Sequence, residues 1–560
     1  MVVKRVLPLD FRMIAEILWD SYQDRLTLGQ VLPLVDKKSY FFHNLIMDTN
    51  VNALDVLTNE VNGWLDGYLK GYKPKRVSSN TVIKDPVWGM TALTPLEISI
   101  LDSPLLQRLR RIHQTGLVFL TYPAALHTRF DHSVGMLHCA TLIVDSINRK
   151  YKSVGQSCPF SDAIEQTIRL ACLLHDIGHS ALSHLTEEFF SNYIIIEKAK
   201  NELEKEKGVR PKNHELLSAI IVRTERFISI LDETFSINRP PYLSSARQIA
   251  NHISDMIIGL PIDGNYENSY ITEIINGPYD ADRLDYIFRD SYFTGISLGT
   301  DAEKFIAGLS LEKIPDKRRN IDRRSMVLDI NAASSYDQLI LSKVSLCSTV
   351  YNHQKVLATN QVVQNILKIL RDNPDKSING VNIRNPIDFL SLTDWDFLIG
   401  NTDSDDIKKL QENIERRNLP VRYVRMSRLS IEGGKEHKIS PDASSYFTTP
   451  EKLEELRIFI CNNLGVKTSG PNTLGIALPR RMELKELCDA YCKEYGGSLE
   501  PFNNLSPANH FTNYLVYKWV GYIFGPYELL TEGNYTKICS ILEDRLHIKL
   551  NQNAKPKKLQ

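Results

Sequence analysis

Apolar residues recur at three- and four-residue intervals along much of the chain, a spacing that places side chains on one face of an α-helix. In the first part of the chain they include Ile14, Ile17, Val61 and Leu65. We therefore expect a helical N-terminal extension over residues 1–78.

Helix-breaking and charged residues interrupt this spacing at 71–80 and predict a linker. The pattern of the stretch 82–89, with Pro86 and Gly89 after its first residues, predicts a short strand and a turn. The helical spacing then returns and predicts a succession of helices up to about residue 370.

Composition changes again at 372–405, where Asn, Asp, Pro and Gly cluster, and later runs such as 421–425 predict short strands among helices. We therefore expect a mainly α fold with a smaller α+β C-terminal part. The predicted divisions are the extension at 1–78, a helical domain at 79–370, an α+β region at 371–550 that completes or flanks it, and a frayed basic tail at 551–560.

One predicted helix carries a candidate metal-binding pair at its end. Asp162 and Glu165 have the spacing of a capping box, and the helix they would open runs to about Gly178. His175 and Asp176 would then fall in its last turn. Since adjacent residues on a regular helix point about 100° apart, they can share one metal only near such an irregular end.

The charge balance of the 560-residue chain excludes a global attraction to polyanions. Lys plus Arg and Asp plus Glu each total 67, so the net charge is zero and does not support nucleic-acid or anionic-membrane binding. We see no secretory signal and no apolar run near the roughly 18 residues of a membrane span. Eight cysteines without CxxC spacing favour a reducing compartment, and we expect a cytoplasmic protein.

Two histidines and two acids form the main candidate site: His132, His175, Asp176 and Asp282. Imidazole and carboxylate are ordinary ligands for Zn, Mn, Fe or Ni, and carboxylates also suit Mg. We therefore expect one divalent metal ion per site, whose identity the ligands leave open. Such an ion lowers the pKa of bound water and polarises a phosphoryl oxygen, which is the chemistry of phosphoester or phosphoanhydride hydrolysis.

A buried His beside an Asp is more often only a satisfied hydrogen-bonded pair. Here, however, ionisable residues are concentrated in short apolar stretches: His175, His179 and His184 lie within ten residues, and Arg129 stands three positions before His132. A core does not need so many such groups, so the combination favours a metal site.

Three stretches, 129–133, 175–179 and 282–286, resemble the motifs of HD-domain metal-dependent phosphohydrolases. Further stretches, among them 85–89 and 290–296, resemble the deoxynucleoside-triphosphate triphosphohydrolase branch, which includes enzymes that join a sterile-alpha-motif domain to an HD domain. The resemblance runs in order over roughly residues 80–425 and implies an HD-type helical domain.

The resemblance implies a role for each matching residue. The four candidate ligands, His132, His175, Asp176 and Asp282, would hold the metal. Arg129 and His179 would contact the phosphate at which water attacks, and His184 and His214 would be the acid–base histidines.

It also implies a substrate site. Arg283, Tyr286 and Lys343 would line the triphosphate, although the regulated relatives have Arg where Lys343 stands. The residues alone allow Arg283 and Lys343 to be surface charges and the tyrosines to be core aromatics. Gln114, Asp290 and Tyr351 would lie beside the sugar, where a 2′-hydroxyl is selected against.

In the regulated relatives, nucleotides bound between subunits drive assembly. Asp102, Gln107, Arg110 and Arg417 match part of that nucleotide site, whereas Thr81 and Lys84 replace Lys and Asn. The resemblance therefore implies a homo-oligomer more strongly than a nucleotide activator.

The leading hypothesis is metal-dependent hydrolysis of deoxynucleoside triphosphates to deoxynucleoside and inorganic triphosphate, including dGTP catabolism. A second hypothesis keeps the metal but makes the chain a phosphodiesterase or nucleotidase for a monophosphate, a cyclic nucleotide or single-stranded nucleic acid. A third is a non-catalytic nucleotide-sensing assembly protein, which the intact ligand set disfavours.

Overall fold

A computed structural model describes residues 52–190, 193–238, 240–297, 299–316, 319–432, 450–478, 490–506 and 519–559. The helical pattern predicted before residue 52 lies outside these ranges. None of the helices within them is long and apolar enough to cross a membrane.

The described chain is mainly helical, as the apolar spacing predicted. The helices before residue 260 are α1 Ala53–Tyr68, α2 Pro95–Leu101, α3 Pro104–Gln107, α4 Arg129–Ser153, α5 Asp162–Leu174, α6 His184–Phe190, α7 Ile194–Lys207, α8 Asn213–Arg223, α9 Glu225–Asn238 and α10 Ala246–Ile257. The later helices are α11 Ser269–Glu273, α12 Ala281–Thr294, α13 Ala302–Gly308, α14 Ala333–Leu346, α15 Gln354–Asp372, α16 Asp394–Ile399, α17 Asp405–Glu415, α18 Pro450–Leu464, α19 Phe502–Leu505 and α20 Glu532–Leu546.

Within the described ranges, three small sheets accompany the helices. The strands are β1 Thr81–Asp85, β2 Gly89–Leu93, β3 Leu309–Asp316, β4 Ile321–Asp329, β5 Val421–Ser427, β6 Gly475–Ala477, β7 Tyr491–Lys493, β8 Leu499–Pro501 and β9 Val520–Gly525. Strands β1 and β2 form an antiparallel hairpin, and the other sheets have the orders β3-β4-β7-β8 and β5-β9-β6. The hairpin and β5 confirm the strands predicted near residues 82 and 421.

Helix α4 is the central element of the main core and packs against α5 and α12. It begins with a capping box, in which the Thr128 hydroxyl accepts from the Asp131 backbone and Asp131 accepts from the Thr128 backbone. The cap fixes the start of α4 at Arg129, so Arg129 and His132 lie one turn apart on the same helix face. Helix α1 joins the same core through fully buried Leu57, Val61 and Leu65.

The boundaries of α5 differ from the prediction. Ser161 caps the helix by accepting from the backbone of Ile164, so the predicted box of Asp162 and Glu165 is wrong. Ser161 has the extended backbone that an N-cap requires, which places Asp162 inside the first turn. The helix ends at Leu174, and His175 and Asp176 lie just beyond it rather than in its last turn.

The C-terminal residues are also more ordered than predicted. Residues 551–559 do not fray: the Asn551 backbone donates to the carbonyl of Ser430 at 2.9 Å, and Ala554 is fully buried. Lys555 pairs with Glu532 at 2.8 Å. The apolar Ala554 and Leu559 pack against a second core formed around β5, β9 and α20, which explains the order despite the basic sequence.

Candidate metal centre and active site

The main core brings His132 of α4, His175 after α5 and Asp282 of α12 together, with ligand atoms within 4.8 Å of one another. His132 Nε2 lies 3.0 Å from Asp282 Oδ1. Two metal bonds of about 2.1 Å at a right angle would hold their ligand atoms about 3 Å apart. Asp176 adjoins the group: its Oδ1 lies 3.2 Å from His175 Nε2 and its Oδ2 3.9 Å from His132 Nε2. We call these four residues the ligand set.

Both histidines are oriented as metal ligands. His132 Nδ1 donates to Asp285 Oδ2 at 2.7 Å, and His175 Nδ1 donates to the carbonyl of Cys172 at 2.7 Å. These acceptors fix the ring hydrogens on Nδ1 and direct the Nε2 lone pairs toward the carboxylates. Both Nε2 atoms are buried and have no hydrogen-bond partner among the described residues. A divalent cation would satisfy both nitrogens.

The electrostatics of the ligand set also favour a cation. Burial would raise the pKa of Asp176, but His175 and Arg129 hold it well below its usual range. Likewise His132 outweighs burial and holds the pKa of Asp282 low. Burial opposes a charge on His132, yet Asp282 and Asp285 raise its pKa to about 10. A buried carboxylate and a half-buried one therefore favour positive charge at this point, which a metal ion could supply.

An outer network holds His132, and the sequence did not reveal it. Asp285 accepts from Trp88 Nε1 at 2.6 Å and from Arg289 at 2.9 Å, and Arg289 also pairs with Asp85 at 2.8 Å. Asp85 and Trp88 belong to the stretch 85–89, whose role could not be assigned without the fold. The absence of a side chain at Gly135 makes room for the pair of Asp285 and Arg289, because a Cβ there would clash with both side chains.

A second group of imidazoles, which we call the histidine cluster, adjoins the ligand set: His179, His184 and His214. The rings of His179 and His214 stack with centroids 3.9 Å apart, and His179 Nε2 lies 3.4 Å from Asp176 Oδ1. His179 is buried, whereas the His184 side chain is 65% exposed.

Glu187, which sequence reasoning missed, connects two rings of the histidine cluster. Its two oxygens accept from His184 Nδ1 and His214 Nδ1, both at 2.8 Å. Burial disfavours a charged His214, but Glu187 outweighs it and raises the pKa of His214. Burial, with Arg129 and His214 nearby, holds the pKa of His179 well below its usual value. The cluster thus contains one ring that favours a proton and one that stays neutral.

Arg129 joins the ligand set to the next group of candidates. It donates to Asp176 at 2.8 Å, to the Ser183 hydroxyl at 3.0 Å and to the Gln114 carbonyl at 3.4 Å. Gln114, Asp290 and Tyr351, which we call the sugar-side set, are buried or half-buried. Tyr351 donates a hydrogen bond to Asp290, and burial, reinforced by Asp290, raises the pKa of Tyr351 well above its usual value.

The predicted triphosphate contacts lie on α12 and on a helix that packs against it. Arg283 and Tyr286 are half-buried on α12, the helix that carries Asp282, and Arg283 donates to the Pro278 carbonyl at 2.5 Å. Lys343 is half-buried on α14, which packs against α12. Their roles toward a substrate stay predictions.

Comparison with known proteins places this site within an HD domain. The HD-domain family model matches residues 129–286, the range that contains the whole ligand set and the histidine cluster. The chain therefore carries an HD domain, which confirms the resemblance and the expected mainly α fold.

Similar proteins occur in organisms as different from each other as a mycoplasma and humans. An uncharacterized protein of Mycoplasma pneumoniae is 33% identical over 221 residues, which cover 38% of this chain and 44% of that protein. The human deoxynucleoside triphosphate triphosphohydrolase SAMHD1 is 25% identical over 344 residues, which cover 60% of this chain and 50% of that protein. The matches thus span about half the length of these relatives.

A solved phosphohydrolase structure from Bacteroides thetaiotaomicron shares the fold. Its TM-score is 0.54 at 20% sequence identity, and the superposition covers 80% of this chain and 100% of that chain. At this identity the likeness extends to the fold alone.

Proposed function

We propose that this HD-domain chain hydrolyses deoxynucleoside triphosphates to deoxynucleoside and inorganic triphosphate, with one divalent metal ion held by the ligand set. The observation that carries the proposal is the position of Arg129. Its guanidinium touches Asp176 of the ligand set and the backbone of Gln114 in the sugar-side set. A phosphate bound at Arg129 would therefore lie between the metal and the sugar.

The ion would supply an activated water and a polarised phosphoryl oxygen. In the overall reaction the water oxygen bonds to the α-phosphorus, the bond from that phosphorus to O5′ breaks, and O5′ takes a proton. Arg129 and His179 offer buried donors to the charge that develops on the phosphoryl oxygens. Arg129 is already held in place by Asp176 and Ser183.

His214 is the group best suited to supply the proton to O5′. The Glu187 carboxylate raises its pKa, so the ring keeps a proton to higher pH than an ordinary histidine does. The exposed His184 shares the same carboxylate and lies at the outer side of the histidine cluster, where it can exchange protons with solvent.

The sugar-side set supports a deoxynucleotide rather than a small phosphomonoester. Asp290 is buried and presents acceptor oxygens, while the Oε1 atom of Gln114 is buried without a hydrogen-bond partner among the described residues. Polar groups left unpaired in a buried site are expected to meet a polar ligand.

The test is separation by HPLC of the products from each of the four dNTPs, incubated with Mn²⁺ or Mg²⁺, with metal content measured on the same sample. We expect deoxynucleoside and triphosphate from the wild type and a loss of several orders of magnitude in Asp176→Ala. Asp375→Ala, which changes a fully exposed acid, is the matched control and should keep full activity.

Release of phosphate or of a nucleoside monophosphate would favour the nucleotidase or phosphodiesterase hypothesis instead. No deoxynucleoside from any dNTP by metal-loaded protein would exclude the proposed reaction. A cellular effect that Asp176→Ala retains would favour the non-catalytic assembly protein.

A further inference from the structure

His127 is a buried imidazole for which neither the metal site nor the histidine cluster accounts. It stands directly before Thr128, the cap of α4, and its side chain has no exposed surface. Its Nε2 lies 2.7 Å from Asp290 Oδ1, and its ring stacks on Phe293 with centroids 4.7 Å apart. Because a carboxylate only accepts, Nε2 is the donor in this bond.

The second nitrogen of the ring shows that packing alone does not explain His127. Nδ1 is buried and has no hydrogen-bond partner among the described residues. An apolar aromatic side chain would fill the same space without an unsatisfied nitrogen. The stack on Phe293 and the bond to Asp290 therefore fix the ring, and its single bonded nitrogen points at the sugar-side set.

His127 contacts two members of the sugar-side set directly and meets the third through Asp290. Its backbone carbonyl accepts from the Gln114 N–H at 3.0 Å. Its ring donates to one oxygen of Asp290, and Tyr351 donates to the other. With a donor on each oxygen, the carboxylate of Asp290 cannot rotate about its own axis without breaking a buried hydrogen bond.

We propose that His127 is a positioning residue that holds Asp290 in the orientation in which the carboxylate binds the 3′-hydroxyl of the substrate sugar. Each carboxylate oxygen can accept more than one hydrogen bond, so Asp290 keeps acceptor capacity after His127 and Tyr351 have bound. The 3′-hydroxyl is the ring hydroxyl that a deoxyribose retains. The inference rests on the proposed function, since it concerns the sugar of that substrate.

Two substitutions separate the donor from the rest of the side chain. His127→Gln places an amide nitrogen near the position of Nε2 and keeps the donor to Asp290. His127→Asn is a similar amide, but it reaches only the position of Nδ1 and leaves Asp290 without this donor. His127→Phe keeps the ring stack on Phe293 and is a second variant without a donor to Asp290.

The experiment compares each dNTP with its 2′,3′-dideoxy analogue, which lacks the 3′-hydroxyl. Affinities are measured by equilibrium binding to protein loaded with Ca²⁺, and turnover is measured separately with Mn²⁺. We expect the wild type and His127→Gln to prefer the dNTP. His127→Asn and His127→Phe should lose about tenfold of that preference, with affinity for the dideoxy analogue unchanged.

A purely structural role for His127 would weaken binding of both nucleotides equally. That result, or a wild type without preference for the dNTP, overturns the inference. If dNTPs are turned over but the preference for the dNTP over its dideoxy analogue is the same with and without a donor at position 127, the positioning role is refuted and the proposed reaction is not. If the variants show the expected change in preference but no dNTP is turned over, the proposed reaction is refuted and the positioning role is not.

Discussion

At His132, one hydrogen bond decides which ring nitrogen is free to bind a metal. Asp285 accepts from Nδ1 and at the same time from Arg289 and Trp88. Because both of its oxygens face donors, either orientation of an Asn at this position would turn an N–H toward another donor. Nε2 of His132, the candidate metal-binding nitrogen, would then lose its fixed orientation.

Asp285→Asn should therefore reduce metal affinity by about 10–100-fold, although residue 285 is no ligand. Competition with a chelator of known affinity measures the change, and circular dichroism confirms that the variant is folded. Wild-type metal affinity in the folded variant would show that Asp285 does not orient His132.

The proton on His214 depends in the same way on Glu187. Since Glu187 raises the pKa of His214, the ring keeps its proton to higher pH, and a reaction that needs this proton is lost as the pH rises through that pKa. In Glu187→Gln the pKa falls, so the alkaline limb of the pH profile of kcat/KM should move to lower pH.

Profiles of rate against pH for the wild type and Glu187→Gln test this expectation, with metal content measured as a control. Activity in Glu187→Gln should fall more at alkaline pH than at acid pH. An alkaline limb at the same pH in both proteins would assign the proton to another group.

At the scale of elements, the loop between α5 and α6 sets the distance between the ligand set and the histidine cluster. It contains Leu182 and Ser183, whose φ angles are 60° and 51°, a conformation that L-residues rarely adopt. Asp394 at the start of α16 holds it: the carboxylate accepts from the backbone of Leu182 at 2.5 Å and of His113 at 2.7 Å.

Asp394→Ala removes both carboxylate oxygens and leaves three buried N–H groups unpaired, because His113 Nδ1 also donates to Asp394 at 2.6 Å. We expect a loss of about 2–4 kcal/mol in the free energy of unfolding and a lower kcat, because Ser183 would no longer hold Arg129 in place. Urea denaturation and steady-state kinetics measure the two effects. Asp405→Ala, at the fully exposed start of α17, should change neither. Equal stability of the two variants would contradict a supporting role for Asp394.

The sequence offered candidate ligands because their motifs are local: His175 and Asp176 are adjacent, and Arg129 stands three positions before His132. The structure brings His132, His175 and Asp282 together, and their role as metal ligands stays a prediction. The sequence did not predict the acids that orient them. Asp394 meets Leu182 across 212 positions, and Asp285 meets His132 across 153. Among 67 acidic residues, no local pattern marks these two, so only the packing of helices identifies them.

At the scale of the whole molecule, the described chain contains two main apolar cores. One includes α1, α4, α5 and α12 and surrounds the ligand set, and the other lies around β5, β9 and α20. Apolar spacing predicted the helices of the first. The sequence pattern did not predict the order of residues 551–559, because only Ala554 and Leu559 of this basic stretch pack against the second core.

The ligand set adjoins the histidine cluster at His179 and is linked to the sugar-side set through Arg129. This arrangement predicts which bond of the substrate breaks. In the proposed reaction, a phosphate at Arg129 with the sugar beside Asp290 would be the α-phosphate, and protonation of O5′ would release the nucleoside with its own oxygen.

Hydrolysis of a dNTP in ¹⁸O-labelled water, followed by mass spectrometry of both products, tests this most directly. The proposed reaction predicts one ¹⁸O atom in the inorganic triphosphate and none in the deoxynucleoside. Label in the nucleoside, or a nucleoside monophosphate or free phosphate as the first product, would contradict it.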